Sequence, residues 1–318
     1  MVMNVPPATL PPVTPEDIKS YYFKRFEQLS EEQQIHFAWS LYSWNKDRTA
    51  YKRLLSLKSY LSGDGDFGSL WQRLEHESNS NTHSKGKMAK IHFKYFSRHP
   101  GLLARTWQLL YVLRLQTIYE MDVRPELLRF HSFESFQQTL VELEQDPEAI
   151  AMLSAAAINY IYLFNYLLVG STEAIDPYKL IDICEPYYDS TDDMHLKIQS
   201  YLYTHLAIGE SLFFNRPIPE NKIDKYQMLM GKAEGVLARY YFEHSLDNKY
   251  EFLACAHLVG NSPDIESVIT NEAANSFYES ELYTFDRLNA NPNKHKPSVA
   301  NMAHSMAFYI LYNSKRSP

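Results

Sequence analysis

Apolar residues recur along this chain at the three- and four-residue intervals that place them on one side of a helix, and almost nowhere in the strict alternation of a half-buried strand. Thr14-Pro15-Glu16-Asp17 opens the first such stretch, with threonine at the N-cap, proline in the first turn and acids at the positive end of the helix dipole. Ser30 and Gln33 stand at capping-box spacing before the second, which carries Ile35, Ala38, Trp39 and Tyr42 on one face. A third runs from Asp47 through Tyr51, Leu54, Leu55 and Leu61 to Gly63. After a polar loop from Glu77 to Gly86 the pattern resumes at Lys87, breaks at His99-Pro100-Gly101, and continues through Trp107, Leu110, Leu113 and Ile118. Asp146-Pro147 starts a long apolar helix that reaches Gly170, and Asp176-Pro177 a short one.

The last third is the densest part of the pattern. Its spacing predicts helices from Asp193 to Phe214, Glu220 to His244, Asp247 to Val259, Asn271 to Leu288 and Pro297 to Tyr312. The whole chain reads as about twelve helices with no strand. Short connections favour antiparallel neighbours, and helix pairs recur every ~40–50 residues without a sequence repeat. The fold class expected is therefore all-α, stacked antiparallel helical hairpins in a solenoid or an α/α-toroid. The divisions expected are a Pro-rich arm over 1–13, N-terminal helices over 14–76, and a main array over 87–318 whose C-terminal part is 194–312.

Composition narrows the functions. The 318 residues include only 10 glycines and contain neither G-x-G-x-x-G nor G-x-x-x-x-G-K-[ST], so no dinucleotide or phosphate loop is expected. A net charge of −7 gives no footprint for nucleic acid. Two cysteines, Cys184 and Cys255, read as buried reduced thiols. The N-terminus lacks the basic and apolar regions of a secretory signal, and the stretch from Ala149 to Val169 is interrupted by Ser154, Asn159 and Asn165, so a cytoplasmic protein with no membrane partner is expected.

Candidate chemistry comes from titratable residues set among apolar ones. His205, Glu210, Glu251, His257 and His304 each need a partner, because burying such a group alone costs several kcal/mol. They are expected to turn inward to one polar centre, with His205 and Glu210, or Glu251 and His257, doing acid–base work. At i, i+5 and i, i+6 neither pair shares a helical face, so only tertiary structure could join them. Cys255-Ala256-His257 points its two side chains ~200° apart, so a zinc site would need Cys184 or His304 from another helix. Packed thiols and hydrogen-bonded histidines are the simpler account, and the cofactor stays undecided. Asp189-x-x-Asp192-Asp193 reads as helix capping before it reads as a magnesium site, and Gly63-Asp64-Gly65-Asp66-Phe67-Gly68 lacks the later ligands of a calcium loop.

Tyr201-x-x-Thr204-His205, Asp247 to Ala254 and Ala303-His304-Ser305 together give residues 194–312 a resemblance to all-helical bacterial domains of unknown function, which in turn look like the α/α-toroid group. The resemblance implies a helical ring and assigns no catalytic residue. Two functions are expected. The first is a helical-repeat protein that holds a peptide or protein partner on a Tyr-rich surface, as an accessory in a bacterial biosynthetic pathway. The alternative is an enzyme whose histidines and acids line a cavity and act on a peptide or natural-product precursor, with or without a metal.

Overall fold

A computed structural model describes residues 14–81, 87–276 and 299–314. The expected arm over 1–13 and residues 277–288 of the expected helix from Asn271 to Leu288 lie outside them. The described residues form seventeen α-helices and no strand: α1 (Pro15–Lys24), α2 (Glu31–Asn45), α3 (Arg48–Ser56), α4 (Lys58–Ser62), α5 (Phe67–Asn81), α6 (Lys87–Phe96), α7 (Leu102–Tyr119), α8 (Arg124–Phe130), α9 (Phe133–Glu144), α10 (Pro147–Leu153), α11 (Ala155–Phe164), α12 (Pro177–Cys184), α13 (Asp193–Glu210), α14 (Ile223–Arg239), α15 (Leu246–Leu258), α16 (Glu266–Ala274) and α17 (Val299–Asn313). The starts are those the capping chemistry selects. Thr14 and Asp17 exchange side chain and backbone bonds at α1, Ser30 and Gln33 do the same at α2, and Asp192 caps α13.

Three expectations of continuity fail, one where a helix runs on and two where a helix breaks. The loop expected from Glu77 is helical to Asn81, inside α5. The helix from Asp47 divides at Leu57 into α3 and α4. The long apolar helix breaks at Ser154, whose φ of 29° is left-handed, and α10 and α11 meet at 109°. No single described helix is long and apolar enough to cross a membrane.

Packing runs in a cycle. α7 touches α11, α11 touches α13, α13 touches α15, α15 touches α17, and α17 touches α2. Side chains join α2 back to α7: the Trp39 indole donates to Thr117 Oγ1 at 3.2 Å, and Arg114 pairs with Glu32 at 3.1 Å. Six helices thereby touch one another in a closed cycle. The remaining helices flank these six; α3 packs on α2, α5 on α7, α14 on α13 and α15, and α1 on α17. Apolar residues from nearly every helix merge into one core, in which Trp71, Phe37, Tyr160, Tyr162 and Phe136 are fully buried.

The exit from α13 is the most unusual backbone in the chain. The helix stops at Glu210, not Phe214, because Leu212, Phe213 and Phe214 take φ of 49°, 56° and 67° in succession. Left-handed backbone costs roughly 1–2 kcal/mol per non-glycine residue. The surroundings hold it: Phe213 stacks on Trp39, Phe214 packs edge-on against Trp44, and the Asn215 amide donates to the Leu212 carbonyl while accepting from Ser43.

Candidate functional site

Five helices of the cycle bring polar side chains to one place. On α13, Thr204 and His205 are neighbours; on α15, Asp247 and Glu251 are four residues apart and so lie on one side. α17 adds His304 and Ser305, α2 adds His36, and α11 adds Asn159. Three of the five residues singled out from sequence, His205, Glu251 and His304, meet here.

Two hydrogen-bonded units make up the centre. In the first, His304 Nδ1 donates to Asp247 Oδ1 at 2.7 Å, and the Ser305 hydroxyl donates to the same oxygen at 3.0 Å. The His36 ring stacks on His304 with centroids 4.5 Å apart, and Phe308 lies edge-on to both rings, 5.0 Å from His304 and 6.4 Å from His36. In the second, Thr204 donates its hydroxyl to Glu251 Oε1, His205 Nδ1 meets Asn159 Oδ1 at 2.9 Å, and His205 Nε2 lies 3.9 Å from Glu251 Oε1. Exposure falls from one unit to the other, with side chains 45% exposed at His304, 27% at Asp247, 14% at His205 and 3% at Glu251.

Burial and charge drive these groups apart in acidity. Burial pushes the Glu251 carboxyl up, the Thr204 hydrogen bond and His304 pull it back, the Asp247 charge adds to the rise, and the result is about 7. Burial would lower His304, but the charge and hydrogen bond of Asp247, with Glu251 beyond, carry it up to about 9. Burial also acts against the Asp247 carboxylate, yet His304, Ser305 and Lys197 hold it below its usual range. Burial and the nearby His304 charge depress His205 to about 3, and the same two causes with Arg114 hold His36 well below its ordinary value. At neutral pH the centre therefore holds an aspartate–imidazolium pair, two neutral imidazoles and a carboxyl poised between its two forms.

The other predicted residues lie elsewhere. Glu210, expected beside His205, is fully buried in a separate network; it accepts from Lys222 at 3.0 Å, Thr172 at 3.0 Å, Arg216 at 3.2 Å and Tyr226 at 3.3 Å. Five residues along α13 is more than a third of a turn from His205, which turns the carboxylate toward Lys222. His257, expected beside Glu251, is exposed on the opposite side of α15, its ring 4.7 Å from that of Tyr312.

The two cysteines do not join the centre. The Cys255 thiol is buried and donates to the Thr204 carbonyl, with its acidity weakened by burial and by Glu251. Burial likewise pushes the Cys184 thiol up to about 12. Among the described residues no three His, Cys, Asp or Glu side chains are grouped as metal ligands. Asp189 binds the Thr191 hydroxyl and backbone and Asp192 caps α13, as helix capping requires. Sequence reasoning missed Asp247, Asn159, Thr204 and His36 as members of the centre. Asp247 reads as an ordinary first-turn acid, and the polar residues of α11 read as interruptions of an apolar run.

Compared with protein-family models, with curated proteins and with solved structures, the chain matches none, and its function has to be argued from this geometry.

Proposed function

We propose that the chain is an acid–base enzyme acting on a small polar substrate at the His205–Glu251–His304–Asp247 centre. The observation that carries the reading is a sealed Glu251 carboxyl poised near neutrality, beside a neutral imidazole and an Asp247-held imidazolium. A group that titrates near the working pH both takes and gives a proton at little cost. In this scheme Glu251 exchanges the proton, His304 offers its Nε2–H to an oxygen that gains negative charge, and Asp247 and Ser305 hold that ring. Substrate enters from the more exposed His304 side and leaves Glu251 shielded from bulk water.

A peptide-holding scaffold has less support. The exposed large apolar residues Leu55, Phe93, Val141, Val169, Tyr187, Met228, Phe242 and Val268 come from eight different segments, and no one described helix offers an apolar stripe for a peptide. The test is incubation of wild-type chain and Glu251→Gln with a metabolite extract, followed by mass spectrometry, together with an NMR titration of Glu251 and His304. Features consumed by wild type alone, with Glu251 titrating near 7, are expected; a Glu251 that titrates at the ordinary carboxylate value removes the basis of the proposal.

A further inference from the structure

The second unit of the centre leaves His205 and Glu251 close to each other without a direct bond. His205 Nε2 and Glu251 Oε1 are 3.9 Å apart, beyond a direct hydrogen bond. One oxygen atom about 2 Å to the side of the line joining them would lie about 2.8 Å from each. We infer that this gap seats a hydroxyl oxygen, from an alcohol substrate or from a hydrolytic water, and that Asn159 is the positioning residue that sets the direction of its hydrogen bonds. The inference rests on the acid–base reading and adds the chemical class of the reacting group.

Asn159 Oδ1 can only accept, so at 2.9 Å it requires the hydrogen to be on His205 Nδ1. The neutral ring then presents a bare lone pair at Nε2 toward Glu251. Whatever fills the gap has to donate to that lone pair. On the other side the Glu251 carboxyl, already accepting from Thr204, offers a proton below its titration and an acceptor above it. A hydroxyl meets both demands because it donates and accepts. A carboxylate or phosphate oxygen only accepts and would set lone pair against lone pair. An ammonium only donates, so it fits ionised Glu251 and leaves a protonated Glu251 without a partner, whereas a hydroxyl fits both forms.

His304 and Asp247 compensate each other at 2.7 Å, and His36 and His205 are held neutral, so the charge of the two units changes near neutrality only through Glu251. The contrast between the two imidazoles follows from their partners. An amide keeps His205 uncharged, whereas a carboxylate makes His304 a cation. Tyr201, with its ring 6.2 Å from that of His205, supplies an apolar border beside the gap.

The test uses the full chain and NMR of its histidines. Long-range nitrogen–proton spectra are expected to show His205 as the Nδ1–H tautomer at neutral pH, and an Nε2–H tautomer overturns the inference. Asn159→Asp, which supplies a charge in place of an amide, is expected to raise the His205 titration by about 1–3 pH units; an unmoved His205 also overturns it. Titration with glycerol and myo-inositol, against sodium acetate and methylammonium, then separates the sources. Saturable shifts of the His205 signals by the polyols, lost in Asn159→Leu, assign the oxygen to a substrate alcohol. An Nδ1–H tautomer that no probe disturbs assigns it to water. Acetate or methylammonium shifting His205 in preference to the polyols overturns the hydroxyl assignment. If the tautomer is Nε2–H while Glu251 still titrates near 7, the hydroxyl seat fails and the acid–base reading stands.

Discussion

Gly209→Ala in α13 should destabilise the protein although alanine is the better helix former. A Cβ at this position would lie 2.5 Å from Tyr162 Cδ2, 2.6 Å from Cγ and 3.1 Å from Cβ. The ring has nowhere to go: Tyr162 is fully buried, its hydroxyl is bonded at 2.6 Å to that of Tyr226, and Tyr226 in turn donates to Glu210. Relief requires α13 and α11 to move apart, and overpacking of this kind costs about 1–3 kcal/mol, offset by about 1 kcal/mol of helix propensity. Contacts as short as 2.5 Å to a ring that cannot move place the overpacking in the upper part of that range, so the net loss should be about 1–2 kcal/mol. Gly231→Ala and Gly235→Ala in α14 are the controls, since neither new methyl meets an atom within 4 Å and each should gain about 0.5–1 kcal/mol. Urea unfolding at constant pH measures all three midpoints. A Gly209→Ala midpoint equal to or above wild type would refute the claim that these two helices touch through a missing side chain. The separation should also widen the distance from Asn159 on α11 to His205 on α13, so the variant is expected to loosen the tautomer as well.

Further outcomes follow from the buried charges. Glu251 rises from 4.5 to about 7 on folding, so the stability it contributes is present below 4.5 and is lost as pH rises through 7, by about 3 kcal/mol in all. His205, depressed to about 3, works in the opposite sense between 3 and 6.5, so the signature is the difference between wild type and Glu251→Gln, measured by denaturant unfolding at pH 4 and pH 8. A difference that does not change with pH would show that Glu251 is not buried as described. Lys222→Met leaves Glu210 with only the half-exposed Arg216 as a countercharge and should cost about 3 kcal/mol, most of it recovered in Glu210→Gln/Lys222→Met; a double variant no better than the single one contradicts this. Cys184 and Cys255 should resist a thiol reagent in the folded chain and both react in denaturant, and rapid native labelling at either would contradict their burial.

The helix content and several of its boundaries were legible in the sequence because their causes are local. Thr14, Ser30, Asp146 and Asp192 cap helices with side chains that reach no further than the next turn. The left-handed turn at Leu212 to Phe214 was not legible, since no glycine announces it and its support comes from Trp39 and Trp44, far away along the chain. The break at Ser154 was hidden too, since no glycine announces it. Of the candidate site, the placement of His205, Glu251 and His304 among apolar residues gave the signal, because a buried titratable group has to find a partner. Which partner it finds is a tertiary question. His205 takes Asn159 from α11 and Glu251 takes Thr204 from α13, whereas Glu210 on the same helix as His205 is claimed by Lys222. Periodicity along one helix cannot make that choice.

The contact of α2 with α17 has a consequence for the order in which the chain comes off the ribosome. α2 is synthesised well before α17, yet they share His36 against His304, the Gln33 amide on the Ala300 carbonyl, and the Trp44 indole on the Ser314 carbonyl. Until Ser314 has emerged, the nascent chain has to carry one side of α2 unsatisfied through the synthesis of all the helices between. Vectorial folding from the N-terminus is therefore incomplete by construction, and a waiting apolar surface of this kind is what chaperones bind.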